Sequence, residues 1–270
     1  MSMKRQMHNG HDITGWKILV SELRRRDTIS AVEVAKLVKQ HSGATADYAL
    51  RRLQHEGVLH RPDKKPRGLY IVSKGSAKAF IGDPFEAVRA ICGSEVVFSY
   101  GTALYLHGLS RYGRLSEYFV ASSRRRNKQS VDGIVIRFIQ TPVQEKMGSS
   151  ILRRGRTTLR VTDLERTLID CIHRPKYAQG WENVVHALDR AKGINGSRMI
   201  EYVKQYRTPS LVAKVGLILE HFGDRWKVSG AALNSLRPYL PRTPVKFSRE
   251  SGGSLNKNWN IFVPDGVFHE

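Results

Sequence analysis

Between Val161 and Trp181 the chain reads VTDLERTLIDCIHRPKYAQGW, which places Asp163, Glu165, Asp170, Cys171 and His173 within eleven residues. Carboxylates, a thiol and an imidazole at that density are the groups that hold divalent metals or move protons. A metal-assisted phosphoryl-transfer site needs carboxylates converging on one point, with a cation to offset the developing charge. The spacing works against convergence. On a helix at about 100° per residue, Asp163 and Glu165 point about 200° apart, and Asp163 and Asp170, which share a side, lie about 10 Å apart along the axis. A metal-dependent nuclease is therefore only the alternative reading, and no catalytic residue, metal ligand or cofactor is assigned. The sequence contains no P-loop, dinucleotide glycine fingerprint, HExxH or GxSxG pattern.

The elements that must position these residues give them another reading. Thr162 is a good N-cap with Glu165 three residues on, and Asp163 and Glu165 suit the positive end of a helix. Leu164, Leu168, Ile169 and Ile172 form its apolar stripe, and Arg174-Pro175 stops it. Asp170 is left over: mid-helix beside the buried face, it needs a partner such as Arg166, Arg174 or a backbone N–H. The expectation is a structural motif of Asp163, Glu165, Arg166 and Asp170, with Asp170 holding the HRPKYAQGW loop.

Charge points to the partner class. The 270 residues carry 45 Lys and Arg against 24 Asp and Glu, a net charge of +21, which favours a polyanion such as nucleic acid. The excess is +8 over residues 1–75, +4 over 76–150 and +9 over 151–270, so no single tail accounts for it. Ribosome association or a membrane surface would fit the same charge. Cys92 and Cys171 are the only cysteines and sit among apolar neighbours, which gives a disulfide framework no support and fits a reducing cytoplasm. No apolar h-region follows the basic residues of MSMKRQMHNGHD, and no apolar run reaches membrane-span length, so a cytoplasmic protein without membrane association is expected.

Residues 1–75 read as a winged helix-turn-helix. WKILVSELRRR puts Trp16, Leu19, Val20 and Leu23 on one face. Ser30 with Glu33 approximates a capping box for a second helix, whose stripe is Val34, Leu37 and Val38. In ATADYALRRLQHEG, Ala46, Ala49, Leu50 and Leu53 face inward, leaving Thr45, Asp47, Tyr48, Arg51 and Arg52 outside. A hairpin follows, with Lys64, Lys65 and Arg67 around its tip. Arg51 or Arg52 can bind guanine bidentately in a major groove, Thr45 or Tyr48 can meet thymine methyls or phosphates, and the hairpin cations can meet phosphates. The same fold can also serve as a protein-interaction module, with Arg51 and Arg52 as a solvated face.

Residues 76–270 read as a mixed α/β domain, which makes the whole chain α+β. Pro84 opens a helix, and His107 in SYGTALYLHGLS is read as a packed or capping residue. EYFVASS and GIVIRFIQT are strands, and the RRRNKQSVD run between them is a solvated loop or a contact to nucleic acid or an acidic partner. Helices are expected at about 181–191, 197–206, 210–222 and 231–240. Two closing strands, PVKFS and NWNIFVP, are joined by RESGGSLNK.

Taken in order, GLYIV, YGTALYLHGLS, VTDLERTLIDCIHRPKYAQGW, KVGLILEHFG and LNKNWNIFVP resemble the AbiEi family, the antitoxin and transcriptional-regulator components of type IV toxin–antitoxin systems. The resemblance spans nearly the whole chain and is most specific over 161–181. It implies a cytoplasmic repressor that binds inverted repeats in its own promoter through the N-terminal domain. It also implies opposition to a nucleotidyltransferase-type toxin, directly or through a shared target, with antitoxicity in the C-terminal domain. It assigns no residue to antitoxicity. Gln179 stands where the family often shows a second glycine.

Overall fold

The structure, a computed structural model, describes residues 13–26, 28–61, 68–72, 83–131, 133–155, 157–248 and 252–268. Its contacts divide the chain into two compact units: Met1–Val96 with Lys128–Ile136, and Val97–Asn127 with Arg137–Glu270. Helices and three sheets make it a mixed α+β fold, as composition and patterning lead one to expect.

The first unit begins with α1 (Ile13–Arg24), β1 (Thr28–Ser30), α2 (Ala31–His41), α3 (Ala46–His55), β2 (Leu59–His60), β3 (Leu69–Val72) and α4 (Pro84–Cys92). Trp16, Leu19 and Leu23 of α1 pack with Val34, Leu37 and Val38 of α2 and with Ala49 and Leu53 of α3 in one core. The predicted capping box is present: Ser30 N–H donates to Glu33 Oε2 at 2.9 Å, and Glu33 N–H donates to Ser30 Oγ at 3.2 Å. One element had no sequence signal. Thr28–Ser30, which reads as the turn into α2, is a strand, because β3 pairs with it from Leu69 to Ile71 while also pairing with β2. The antiparallel sheet therefore runs β1-β3-β2, and α4 packs against β1 and β3.

The chain continues with β4 (Val97–Phe98), α5 (Tyr100–Leu106), β5 (Tyr118–Ser122), β6 (Gln129–Val131), β7 (Ile134–Gln140), β8 (Ser149–Arg154) and β9 (Thr157–Thr162). The strand order is β6-β7-β5-β4-β9-β8, with β4 parallel to β9 and the pairs β6–β7, β4–β5 and β8–β9 antiparallel. RRRNKQSVD is thus only in part a loop. Its residues 129–131 form β6 by pairing with β7.

Helices α6 (Leu164–His173), α7 (Trp181–Arg190), α8 (Gly196–Gln205) and α9 (Pro209–His221) form the largest core, joined by Tyr100, Leu104 and Trp259. The helix expected over 231–240 is shorter. Here α10 (Gly230–Asn234) ends four residues before Pro238, whose ring would clash with the Asn234 carbonyl of a continuing helix, and a 3-10 turn takes over at Arg237–Tyr239. At the chain's end β10 (Val245–Lys246) and β12 (Ile261–Val263) are parallel, and β11 (Ser254–Asn256), inside what reads as a connection, pairs antiparallel with β12. Among the described residues no helix is long and apolar enough to cross a membrane.

Candidate nucleic-acid interface and a buried arginine–aspartate hub

Helix α3 presents a polar face, but its residues are not equivalent. Thr45 is the N-cap, with Oγ1 accepting from Tyr48 N–H at 3.3 Å, so its hydroxyl already has a local task. Tyr48 is exposed. Arg51 is 83% exposed and pairs with the equally exposed Asp47, 3.3 Å away, a pairing that water screens almost completely. Arg52 is anchored: Nε donates to Glu56 Oε1 at 2.7 Å, and its guanidinium lies 4.1 Å from the centre of the Trp16 ring. Trp16 Nε1 donates to Glu56 Oε2 at 3.1 Å, which closes the network. The Glu56 hydrogen bond holds the Arg52 pKa above the ordinary arginine value. Arg51 is therefore the more exposed of the two arginines, whereas Arg52 also ties α3 to α1. Lys64, Lys65 and Arg67 lie outside the described residues.

The dense segment folds around α6. Thr162 ends β9, so its backbone is committed to pairing with Ser149, and the N-cap is Asp163, whose Oδ1 accepts from Arg166 N–H at 2.9 Å. The expected Thr162 cap is thereby displaced by one residue. Thr162 Oγ1 meets Thr167 Oγ1 at 2.7 Å instead, and its carbonyl oxygen is 2.7 Å from His107 Nε2.

The three carboxylates of the segment are held by different residues along α8 and its two caps. Asp163 Oδ2 accepts from Tyr202 OH at 2.9 Å on α8, and burial raises the Asp163 pKa. Glu165 reaches the loop before α8, where Oε1 accepts from Asn195 N–H at 2.8 Å and Oε2 lies 3.6 Å from Arg198 Nη1. Asp170, fully buried, accepts from Tyr206 OH at 2.7 Å and lies 3.5 Å from Arg166 Nε. Arg166 is as deeply buried. Its Nη1 donates to the carbonyls of Gln144, Glu145 and Met147, clamping the turn before β8 onto α6. Complete burial pushes the Asp170 carboxyl above the usual range against the pull of Arg166, and it pushes the Tyr206 hydroxyl well up, which keeps that donor protonated.

Arg166 is thus the partner of Asp170 that the spacing suggests, but Arg174 is not: its Nη1 donates to Gln140 O at 3.1 Å. Nor does the Asp170 side chain hold the following loop, which is tied by Asn183 Nδ2 donating to Ala178 O at 2.8 Å. Tyr202, Tyr206 and Arg198 complete the hub and lie too far along the chain for spacing to reveal them. The one available signal is a polar-tipped aromatic at the end of an apolar stripe, as at Tyr206.

Gln179 adopts φ 65° and ψ 30° after the 3-10 turn Pro175–Ala178, a left-handed conformation that glycine takes without steric cost. Gln179→Gly is expected to raise stability by up to about 1 kcal/mol, read as an increased Tm in thermal unfolding. A lower Tm would mean that contacts of the glutamine side chain outweigh its backbone strain.

No protein-family model matches the sequence, and no curated protein matches it. The fold is similar to the crystal structure of RV2827C protein from Mycobacterium tuberculosis, with a TM-score of 0.64 over 92% of this chain and 90% of that one. The two are 14% identical, so the likeness concerns fold alone.

Proposed function

We propose that this chain is a DNA-binding transcriptional repressor and antitoxin of a type IV toxin–antitoxin system. In this reading it represses its own operon through promoter inverted repeats and opposes a nucleotidyltransferase-type toxin. The observation that carries the DNA-binding part is the exposed α3 face with Tyr48 and Arg51, set in the order α1-β1-α2-α3-β2-β3. That order suits a winged helix-turn-helix in which α3 enters the major groove and the β2–β3 hairpin reaches phosphates. The net charge of +21 supports the same partner. The antitoxin part rests on the AbiEi-like segments. A nuclease at Asp163, Glu165 and Asp170 is disfavoured, since each carboxylate is already engaged by a different residue of α8 or its caps.

Arg51→Ala is expected to weaken binding to the specific promoter by about 1–3 kcal/mol without changing Tm. Arg52→Ala is expected to lower both affinity and Tm, because Glu56 and Trp16 lose their shared partner. Fluorescence anisotropy with the promoter duplex, beside a thermal melt, separates the two; an unchanged affinity for Arg51→Ala would move recognition off α3. For the antitoxin part, co-expression with the neighbouring toxin gene should restore growth. Co-purification of the two proteins indicates direct opposition, and rescue without it indicates a shared target. Failure to rescue would remove this part of the reading.

A further inference from the structure

The second unit holds a cleft of about 1360 Å³ that the repressor reading does not use. Its wall is formed by the end of α6, the 3-10 turn, the start of α7, one position of α9 and the β10 region. Four cations line it, Arg174, Lys176, Lys214 and Lys246, and the carboxylate of Glu182, which also lines it, is held by Arg111 at 2.9 Å. The cleft is therefore positive, and its low-dielectric walls strengthen its field.

Lys214 is the informative residue. It sits half-buried in α9, where every other position between Leu211 and Leu219 is buried. Among the described residues its ammonium has no carboxylate partner. It lies 5.5 Å from the Trp181 ring and 6.0 Å from Phe247, close enough for cation–π attraction. Burial holds its pKa below the ordinary lysine value. A leucine there would cost less, so an ammonium drawn out of water without a counter-ion suggests that an anion supplies one.

The aromatic side chains narrow the class of anion. Trp181 and Phe247 pack with centroids 4.6 Å apart and planes at 32°, and Tyr177 stands in the same wall. His173 contributes a buried Nδ1 without a hydrogen-bond partner among the described residues. Burial lowers its pKa to about 4, so the ring is neutral and its polar edge can meet a base or ribose rather than repel a cation. Aromatic faces beside cations are the pairing that takes a base by stacking and its phosphates by charge.

We propose that this cleft binds a nucleotide, with the base against Trp181 and Tyr177 and the phosphates at Lys214, Lys176 and Lys246. The shared chemistry is base plus phosphate, supplied either by a free nucleoside triphosphate or by a single-stranded nucleic acid. The volume exceeds the roughly 300–1,000 Å³ of ordinary small-ligand sites, so it accommodates either source.

Titration of the full chain by calorimetry distinguishes them. The probes are ATP, GTP, CTP and UTP, the hexanucleotides of rU and dT, inorganic tripolyphosphate and a hexaglutamate peptide. At least one nucleotide or hexanucleotide is expected to bind saturably at sub-millimolar concentration. Lys214→Met should weaken that binding by about tenfold, equivalent to 1.4 kcal/mol. The same variant should melt at the wild-type temperature or above, since an uncompensated charge has gone. Trp181→Leu should weaken nucleotide binding and spare tripolyphosphate. Tighter binding of a hexanucleotide that competes with a triphosphate assigns the strand as the source; triphosphate binding alone assigns the free nucleotide. Binding that ignores Lys214→Met, tripolyphosphate or hexaglutamate binding as tight as any nucleotide, or no saturable binding at all would overturn the proposal. Oligonucleotide binding through α3 is recognisable because Lys214→Met leaves it unchanged.

Discussion

Asp170→Ala is expected to lower the free energy of unfolding by about 3–5 kcal/mol, a large part of the roughly 5–15 kcal/mol that holds a typical protein folded. The substitution leaves the Arg166 guanidinium fully buried with only backbone carbonyls around it, and it takes the acceptor away from Tyr206 OH. Tyr206→Phe removes one hydrogen bond to a charged group and should cost about 1.5–3 kcal/mol. The double change Arg166→Met with Asp170→Leu should cost less than Asp170→Ala alone, because both ions leave together. Urea unfolding of the four proteins tests this. A cost below about 1 kcal/mol for Asp170→Ala would mean that the pair is solvated in solution and organises nothing.

Gly216→Ala is the second substitution with a large expected effect, and its sign is the informative part. On an exposed helix face alanine stabilises relative to glycine by about 1 kcal/mol. In the middle of α9, a Cβ at position 216 would overlap the six-membered ring of Trp259. That ring has little room to retreat: it is 1% exposed, and Trp259 Nε1 donates to Glu220 Oε2 at 2.8 Å, one turn further along the same helix. Overpacking of this kind costs about 1–3 kcal/mol or more, so a destabilised protein with altered tryptophan emission is expected. An alanine variant as stable as the wild type would show that Trp259 does not rest on α9.

These two sites show why some of the structure was legible in the sequence and some was not. KVGLILEHFG and LNKNWNIFVP, far apart in the chain, meet as Gly216 and Glu220 against Trp259. YGTALYLHGLS meets the 161–181 segment through His107 at the Thr162 carbonyl and through Gly101, where a Cβ would lie 2.8 Å from Tyr177 O. Several of the segments that carry the AbiEi resemblance are thus mutual packing partners. Local rules found what local rules control: the Ser30–Glu33 cap, the stripes of α2, α3 and α9, and the stop at Arg174-Pro175. They missed β1, β6 and β11, three-residue strands too short to show an alternation of their own: β1 pairs with the distant β3, while β6 and β11 pair with the strands that follow them, β7 and β12. At the hub, Arg166 was within reach of the i,i+4 rule, whereas Tyr206, 36 residues beyond Asp170, was not. On α3 the sequence treats Arg51 and Arg52 alike. Only the position of Trp16 and Glu56 tells the more exposed arginine from the anchored one.

Sequence-specific recognition through α3, as proposed, is tested most directly by the affinity of the full chain for the duplex upstream of its own gene beside a scrambled duplex of equal composition. At physiological salt the upstream duplex should bind at least about 10³-fold more tightly. Both affinities should fall steeply as salt rises, and Arg51→Ala should shrink the ratio between them. Equal affinity for the two duplexes would contradict the claim.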